Sequence, residues 1–195
     1  MSKRTLAMYL ALAGGLAAAA WPHQAREAVV TPEGVRLPVS QSAYLERAKT
    51  EKIAWYTSGQ AAFAKARERN VPVLLDGGAT WCPWSELMER ESYRDPQLAD
   101  YMNAHFVALK IDFDADPKLS AELERVQAVM NLPAGLPLTA FVTPDGKLYS
   151  GGGFFPKEAK GGKPAFRNAL AEALKMYEEN RSEVERDGVK LKIGE

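Results

Sequence analysis

Three short apolar runs, separated by segments with helical periodicity, limit what this chain can fold into more than any other feature. The runs cover residues 71–76, 106–112 and 138–142. Runs of this length and apolar content are typical of strands that are buried on both faces of a sheet. Asp145-Gly146 follows the third run and predicts a hairpin turn into a further strand. The order predicts an α/β fold, with a central mixed sheet and helices on both faces.

Serine, aspartate and proline residues mark the starts of several predicted helices. Ser58 is a plausible N-cap for a helix over residues 59–69, and Asp95-Pro96 and Pro117 begin two more. A final amphipathic helix is predicted at 164–180. The residues after Arg181 are mostly charged, and we expect a loosely held tail there.

The first residues have the pattern of an export signal. Lys3 and Arg4 precede an uncharged, apolar stretch at residues 5–21, which includes Ala18-Ala19-Ala20 as a possible cleavage region. A cleaved signal peptide and an uncleaved membrane anchor both fit this pattern, whereas a buried helix would show an apolar stripe. In either case we expect an exported protein, periplasmic or otherwise extracytoplasmic, which an uncleaved segment at residues 5–21 would hold at the inner membrane.

The chain therefore divides into four predicted parts. Residues 1–21 form the signal peptide or anchor, and residues 22–52 form a linker with a short helix at 42–51. A single domain follows at 53–181, and residues 182–195 form the charged tail.

Composition narrows the classes of ligand. Lys+Arg and Asp+Glu are equal at 25 each, so no net charge attracts nucleic acid. Two histidines and one cysteine are too few for a typical zinc site, and no cofactor is indicated. Asp112, Asp114 and Asp116 have the spacing of a calcium loop, but Leu123 stands where the bidentate glutamate is needed. A strand end and a helix cap explain these acids better.

The single cysteine lies in Trp81-Cys82-Pro83-Trp84-Ser85, between the first apolar run and a predicted helix. At a helix N-terminus the dipole and the unpaired N–H groups favour a thiolate, although Glu86 and Glu89 act against this. One cysteine cannot close an internal disulfide, so any redox step must join Cys82 to another molecule. The alternative is that Cys82 is a small buried apolar residue without reactivity.

Several motifs in order resemble a known family. They are Trp81-Cys82-Pro83-Trp84-Ser85, residues 88–93, residues 103–112, residues 135–146, and a glycine run before Phe154-Phe155-Pro156. Together they resemble the thioredoxin-like domain of the spermatogenesis-associated protein type, over residues 53–177. This resemblance implies a thioredoxin-like fold in which Cys82 faces a cis-proline loop at Gly135-Leu136-Pro137.

One residue departs from the family pattern. The family commonly has a second cysteine where this chain has Ser85, and a serine hydroxyl cannot resolve a mixed disulfide. The resemblance then implies a monothiol (CxxS) protein that forms mixed disulfides at Cys82. Its partners would be protein thiols or disulfides, with glutathione as a further candidate. A redox-silent protein-interaction module on the same fold is the alternative.

The resemblance also assigns roles to further residues. Asp76 stands where thioredoxins keep a buried acid that handles protons, although it could equally be a residue at a strand end. The candidate catalytic residues are thus Cys82 and Asp76. The candidate binding groove consists of residues around the thiol and the proline loop: Trp81, Pro83, Trp84, Ser85, Leu136 and Pro137. The two tryptophans have a second interpretation, as packing residues.

Overall fold

A six-stranded mixed sheet forms the centre of the computed structural model, which describes residues 28–30, 36–38 and 42–193. The strands are β3 (Trp55–Tyr56), β4 (Val73–Gly78), β5 (Val107–Asp112), β6 (Leu138–Val142), β7 (Lys147–Gly152) and β8 (Val189–Lys190). They lie in the order β3-β5-β4-β6-β7-β8. A separate antiparallel pair consists of β1 (Ala28–Val30) and β2 (Arg36–Pro38).

The strand order places the end of β4 in the middle of the sheet, between β5 and β6. β3 and β4 both run parallel to β5, whereas β6 runs antiparallel to β4, and β7 and β8 continue the antiparallel half. In this register Asp76 of β4 lies opposite Lys110 of β5 on one side and Thr139 of β6 on the other. The last residues of β4 therefore lead directly to the segment that carries Cys82.

Helices cover both faces of the sheet, as the sequence predicted. They are α1 (Ala43–Ala48), α2 (Gly59–Arg69), α3 (Pro83–Met88), α4 (Pro96–His105), α5 (Pro117–Val129), α6 (Phe166–Glu179) and α7 (Arg181–Asp187). A π-helical turn at Glu89–Tyr93 follows α3. The predicted N-cap Ser58 accepts a hydrogen bond from the Ala61 N–H. Asp112 ends β5 and Asp116 caps α5, which confirms the structural interpretation of these acids.

Two hydrophobic clusters lie on opposite faces of the sheet. Neighbouring residues of β4 point to opposite clusters, with Leu74 in one and Leu75 in the other. The first cluster includes side chains of α1, α4 and α6, and the second includes those of α2 and α5. Burial on both faces explains why the central strands are almost entirely apolar.

Two predicted boundaries need correction. The segment after Arg181, predicted as a loose tail, instead forms α7 and β8, because Val184 and Leu191 are buried and anchor it. Helix α1, predicted as part of the linker, packs onto the domain and buries Tyr44 completely. Isolated apolar residues between charged ones carried too weak a periodicity to reveal either contact.

The predicted signal peptide or anchor at residues 1–21 lies outside the described residues. Within residues 42–193, no helix has the length and apolar character needed to span a bilayer.

Candidate functional site

Cys82 lies where β4 ends and α3 begins. It is the N-cap of α3, in extended backbone conformation (φ −87°, ψ 110°), and Pro83 occupies the first helical turn. Cys82 is 5% exposed, and its thiol donates a hydrogen bond to the Leu136 carbonyl oxygen, with 3.4 Å between sulfur and oxygen.

The loop before β6 is held in place from α5. Its Leu136–Pro137 peptide bond is cis, and Gly135 adopts a positive φ of 99°, which favours glycine. The Gln127 side-chain amide donates to the carbonyl oxygens of Pro133 (3.1 Å) and Gly135 (3.0 Å). The structure therefore brings Cys82 and the predicted cis-proline loop together, and Gln127 fixes the loop that contacts the thiol.

Ser85 lies beneath the surface, one helical turn after Cys82. It is 1% exposed, and its hydroxyl has no hydrogen-bond partner among the described residues. It faces the end of β4, because a Cβ added to Gly78 would lie 2.9 Å from Ser85 Oγ and would overlap the Tyr44 hydroxyl. Gly78 is thus required for the close packing of α1 and α3 against β4.

Asp76 of β4 is fully buried, and each of its carboxylate oxygens accepts a hydrogen bond. Tyr44 and Tyr93 donate hydrogen bonds to them at 2.7 and 2.8 Å. The Lys110 ammonium lies 3.2 Å from the same carboxylate. No hydrogen bond joins Asp76 to Cys82 in the described residues, so the structure places the two candidate catalytic residues in one region without direct contact.

Lys110 is the centre of a buried charge cluster. Its ammonium lies 4.5 Å from the Tyr44 ring centroid, 4.7 Å from that of Trp55 and 4.8 Å from that of Tyr93. It also pairs with Glu89 at 3.3 Å, and Glu89 pairs with Arg47 at 3.0 Å.

The charges of nearby carboxylates keep Lys110 ionised. Burial acts against the ammonium, but Asp76, Glu51 and Glu89 outweigh it and raise the pKa of Lys110. The ammonium of Lys110 therefore stays charged although it is buried.

Two tyrosines and one glutamate around Lys110 have pKa values above their ordinary ones. Burial, reinforced by Asp76, raises the pKa values of Tyr44 and Tyr93 well above 10, so both remain hydrogen-bond donors. Burial also raises the pKa of Glu51 from 4.5 to about 7, although Lys110 and a hydrogen bond from the Trp55 indole N–H oppose this shift.

The two tryptophans flank Cys82 on different sides. Trp81 is 65% exposed, and its indole N–H donates to the Asp114 carboxylate at 2.9 and 3.1 Å. Trp84 is 55% exposed and contacts Phe154, with 5.1 Å between the ring centroids. Neither is a core packing residue, which favours the interpretation that they offer apolar surface to a partner.

A groove beside Cys82 contains part of the predicted binding set. It has a volume of about 300 Å³ and is lined by Trp84, residues 133–137, Gly153, Phe154 and Lys163. Leu136 and Pro137 thus line it together with Trp84. Trp81 and Pro83 do not line it, and Ser85 is buried away from it.

Sequence reasoning missed most of the residues that surround the predicted ones. Tyr44 and Gln127 lie in no motif that marks them before the fold is known. Tyr93 and Phe154 belong to motifs of the family resemblance, but no role at the site was predicted for them. Lys110 did carry a signal, since a lysine inside an apolar strand needs a buried counter-charge. The matching charges, however, are distant in sequence.

Comparison with known proteins is consistent with this geometry. The family model Thioredox_DsbH, described as a protein of unknown function, DUF255, matches residues 35–193. Human spermatogenesis-associated protein 20 is 29% identical over 154 residues, which are 78% of this chain and 20% of that protein. A thiol:disulfide interchange protein DsbD of Vibrio vulnificus is 31% identical over 94 residues, which are 48% of this chain and 16% of that protein.

A solved structure supports the fold. A thioredoxin from Thermus thermophilus superposes with a TM-score of 0.51 at 18% identity, and covers 67% of this chain and 93% of its own. The fold is therefore thioredoxin-like, as the sequence motifs implied. The chain spans only 16% to 20% of the length of the curated relatives that it matches.

Proposed function

This chain belongs to the Thioredox_DsbH family, and from that premise we propose that it acts in thiol–disulfide chemistry through mixed disulfides at Cys82. The observation that carries the proposal is the position of the thiol. Cys82 caps α3 and contacts the carbonyl oxygen of Leu136 at the cis-proline loop, beside an open groove. The matched relative named as a thiol:disulfide interchange protein supports the same chemistry.

The reaction exchanges one disulfide bond for another. The Cys82 thiolate attacks one sulfur of a partner disulfide, the partner's S–S bond breaks, and a new bond joins Cys82 to the attacked sulfur. The second partner sulfur leaves as a thiolate and takes up a proton. Because this sequence has no second cysteine, an external thiol, from a protein or from glutathione, must release the mixed disulfide.

We assign Asp76 a positioning role in this reaction. Its oxygens accept hydrogen bonds from Tyr44 and Tyr93 and pair with Lys110, and no hydrogen bond joins it to Cys82 in the described residues. Through these contacts it holds α1 and the π-helical turn behind the thiol. An Asp76→Asn variant should then change stability more than the rate of adduct formation.

Mass measurement of the protein after treatment with a small neutral disulfide, hydroxyethyl disulfide, tests the proposal. We expect one covalent adduct per chain, reversed by excess thiol and absent in Cys82→Ser. A Ser85→Cys variant supplies the missing second thiol, and its adduct should convert into an internal disulfide. A native protein that forms no adduct at Cys82 would refute the mixed-disulfide function.

One observation favours a second candidate. Cys82 is only 5% exposed, as expected if the thiol is unreactive and the groove binds a partner without covalent chemistry. On this alternative, a Cys82→Ser variant keeps full activity in cells, whereas a substitution at the exposed Trp84 does not.

We further propose that the protein is exported. The support is the basic Lys3 and Arg4 before the apolar residues 5–21. Fractionation of cells, followed by mass measurement of the N-terminus, distinguishes a cleaved signal peptide from a retained anchor. Recovery of the uncleaved chain in the cytosol would contradict export.

A further inference from the structure

Two adjoining grooves next to Cys82 share the same walls. The first is the groove of about 300 Å³ against residues 133–137. The second, of about 270 Å³, extends toward Leu87 and Pro156. Trp84, Phe154 and Lys163 line both grooves, so the two grooves meet at these residues. Together they are called the depression, and its first part includes the loop that contacts the thiol.

A tight turn closes the far side of this depression. Lys160 and Lys163 exchange two backbone hydrogen bonds, of 3.1 and 3.0 Å, around Gly161-Gly162. Both glycines have positive φ (59° and 75°), the conformation of a tight hairpin turn. This backbone geometry fixes the positions of the two lysines, of which Lys163 lines both grooves and Lys160 lines the second.

The charge of the depression is positive. Within residues 42–193 neither Lys160 nor Lys163 pairs with a carboxylate, although Lys157 in the same loop pairs with Asp95 at 2.8 Å. Glu91 lines the second groove and lies 3.9 Å from Arg90. No acidic side chain lines the first groove, where Lys163 is the charged lining residue, so the two grooves together have two lysines and one glutamate in their lining.

Trp84 and Phe154 form an apolar wall beside Lys163 in both grooves. Trp84 is 55% exposed and contacts Phe154, so the two rings form one surface at the start of the depression. Exposed aromatic surface beside a charged rim is typical of a site that binds part of another protein.

We propose that this depression binds an extended segment of a client protein, with an apolar side chain near its reactive cysteine and a carboxylate facing Lys163. The proposal rests on the proposed function, because the client cysteine is the one that joins Cys82. The apolar side chain packs on Trp84 and Phe154, and the carboxylate balances the lysine. An extended chain suits the site because the depression continues past Phe154 toward Pro156.

Matched peptides test this inference. Each carries a cysteine activated as a pyridyl disulfide, and attack by Cys82 releases pyridine-2-thione, whose absorbance gives the rate. One peptide carries Phe and Asp near the cysteine, the second Phe and Lys, and the third Ala and Asp. At low salt we expect the first to react about three- to fivefold faster than the second, and about tenfold faster than the third.

Variants of the protein make the test specific. Lys163→Glu should reverse the preference between the acidic and basic peptides, and Trp84→Ala should remove the advantage of Phe over Ala. Lys52→Glu is the matched control, since Lys52 is exposed and lines neither groove. It should leave the peptide preferences unchanged.

The outcomes separate this inference from the proposed function. If hydroxyethyl disulfide gives no Cys82 adduct, the proposed function fails. If that adduct forms but the peptides react equally, or Lys163→Glu leaves the preference unchanged, the client-segment proposal alone is overturned. It is also overturned if glutathione disulfide shows the same dependence on Lys163 while Phe adds nothing, since the site would then serve small anionic thiols.

Discussion

The raised pKa of Glu51 makes a specific prediction about how stability depends on pH. Glu51 is partly buried, and its pKa rises from 4.5 to about 7 in the folded protein. Between these two values the unfolded chain loses the Glu51 proton while the folded protein keeps it. Ionisation therefore favours the unfolded state, and the free energy of unfolding falls as pH rises from about 4.5 to 7. Above the folded pKa no further loss occurs.

The size of the effect follows from the same two pKa values. A rise from 4.5 to about 7 corresponds to a loss of about 3 kcal/mol across this interval. Glu51→Gln keeps an acceptor for the Trp55 indole N–H but cannot ionise. We therefore expect the variant to gain about 3 kcal/mol relative to the native protein between pH 4 and pH 8.5.

Urea unfolding followed by tryptophan fluorescence at a series of pH values measures this difference. Subtracting the native profile from the variant profile removes the contributions of groups that titrate alike in both proteins. Glu124→Gln, on the exposed side of α5, is a control that should run parallel to the native protein. Parallel profiles for Glu51→Gln, or a difference that grows toward low pH, would refute the reasoning.

Three other predictions concern the packing behind the site. Lys110→Met leaves buried carboxylates without their cation and should lower the free energy of unfolding by about 3–5 kcal/mol; urea unfolding tests this, and Asp76→Asn in the same chain should restore part of the loss. Gln127→Ala removes the hydrogen bonds to two loop carbonyl oxygens, so the free energy of unfolding should fall by about 1–2 kcal/mol. The Cys82 thiol, which contacts this loop, should also be alkylated faster in a labelling assay. In Gly78→Ala the added methyl group overlaps the Tyr44 hydroxyl. The free energy of unfolding should fall by about 1–3 kcal/mol, and a thermal melt measures this.

Much of the fold and the centre of the site followed from local sequence signals. The apolar run at 138–142 coincides with β6, and the helix predicted after Ser58 coincides with α2. The resemblance to the thioredoxin-like family implied that Cys82 faces the loop at Pro137, and the thiol does contact that loop at Leu136. These signals are readable because strand composition, helix caps and short motifs each act within a few residues.

The rest depended on contacts between distant residues. α1 was predicted as a helix, but its packing behind the site was not, since the Tyr44 hydroxyl bonds Asp76 across 32 positions of sequence. The C-terminal segment was predicted as loose because its apolar residues are isolated, yet β8 pairs with β7. A strand of two residues has too little pattern to be recognised before its partner is known.

The sequence by itself determined a mixed sheet with helices on both faces and a single thiol at the start of a helix, because periodicity and residue type express these features locally. Only the tertiary structure decided the environment of that thiol. Lys110 keeps its charge in the interior because Asp76, Glu89 and three aromatic rings surround it. These groups come from separate elements, and the free energy of burying the cation is offset only when packing brings them together.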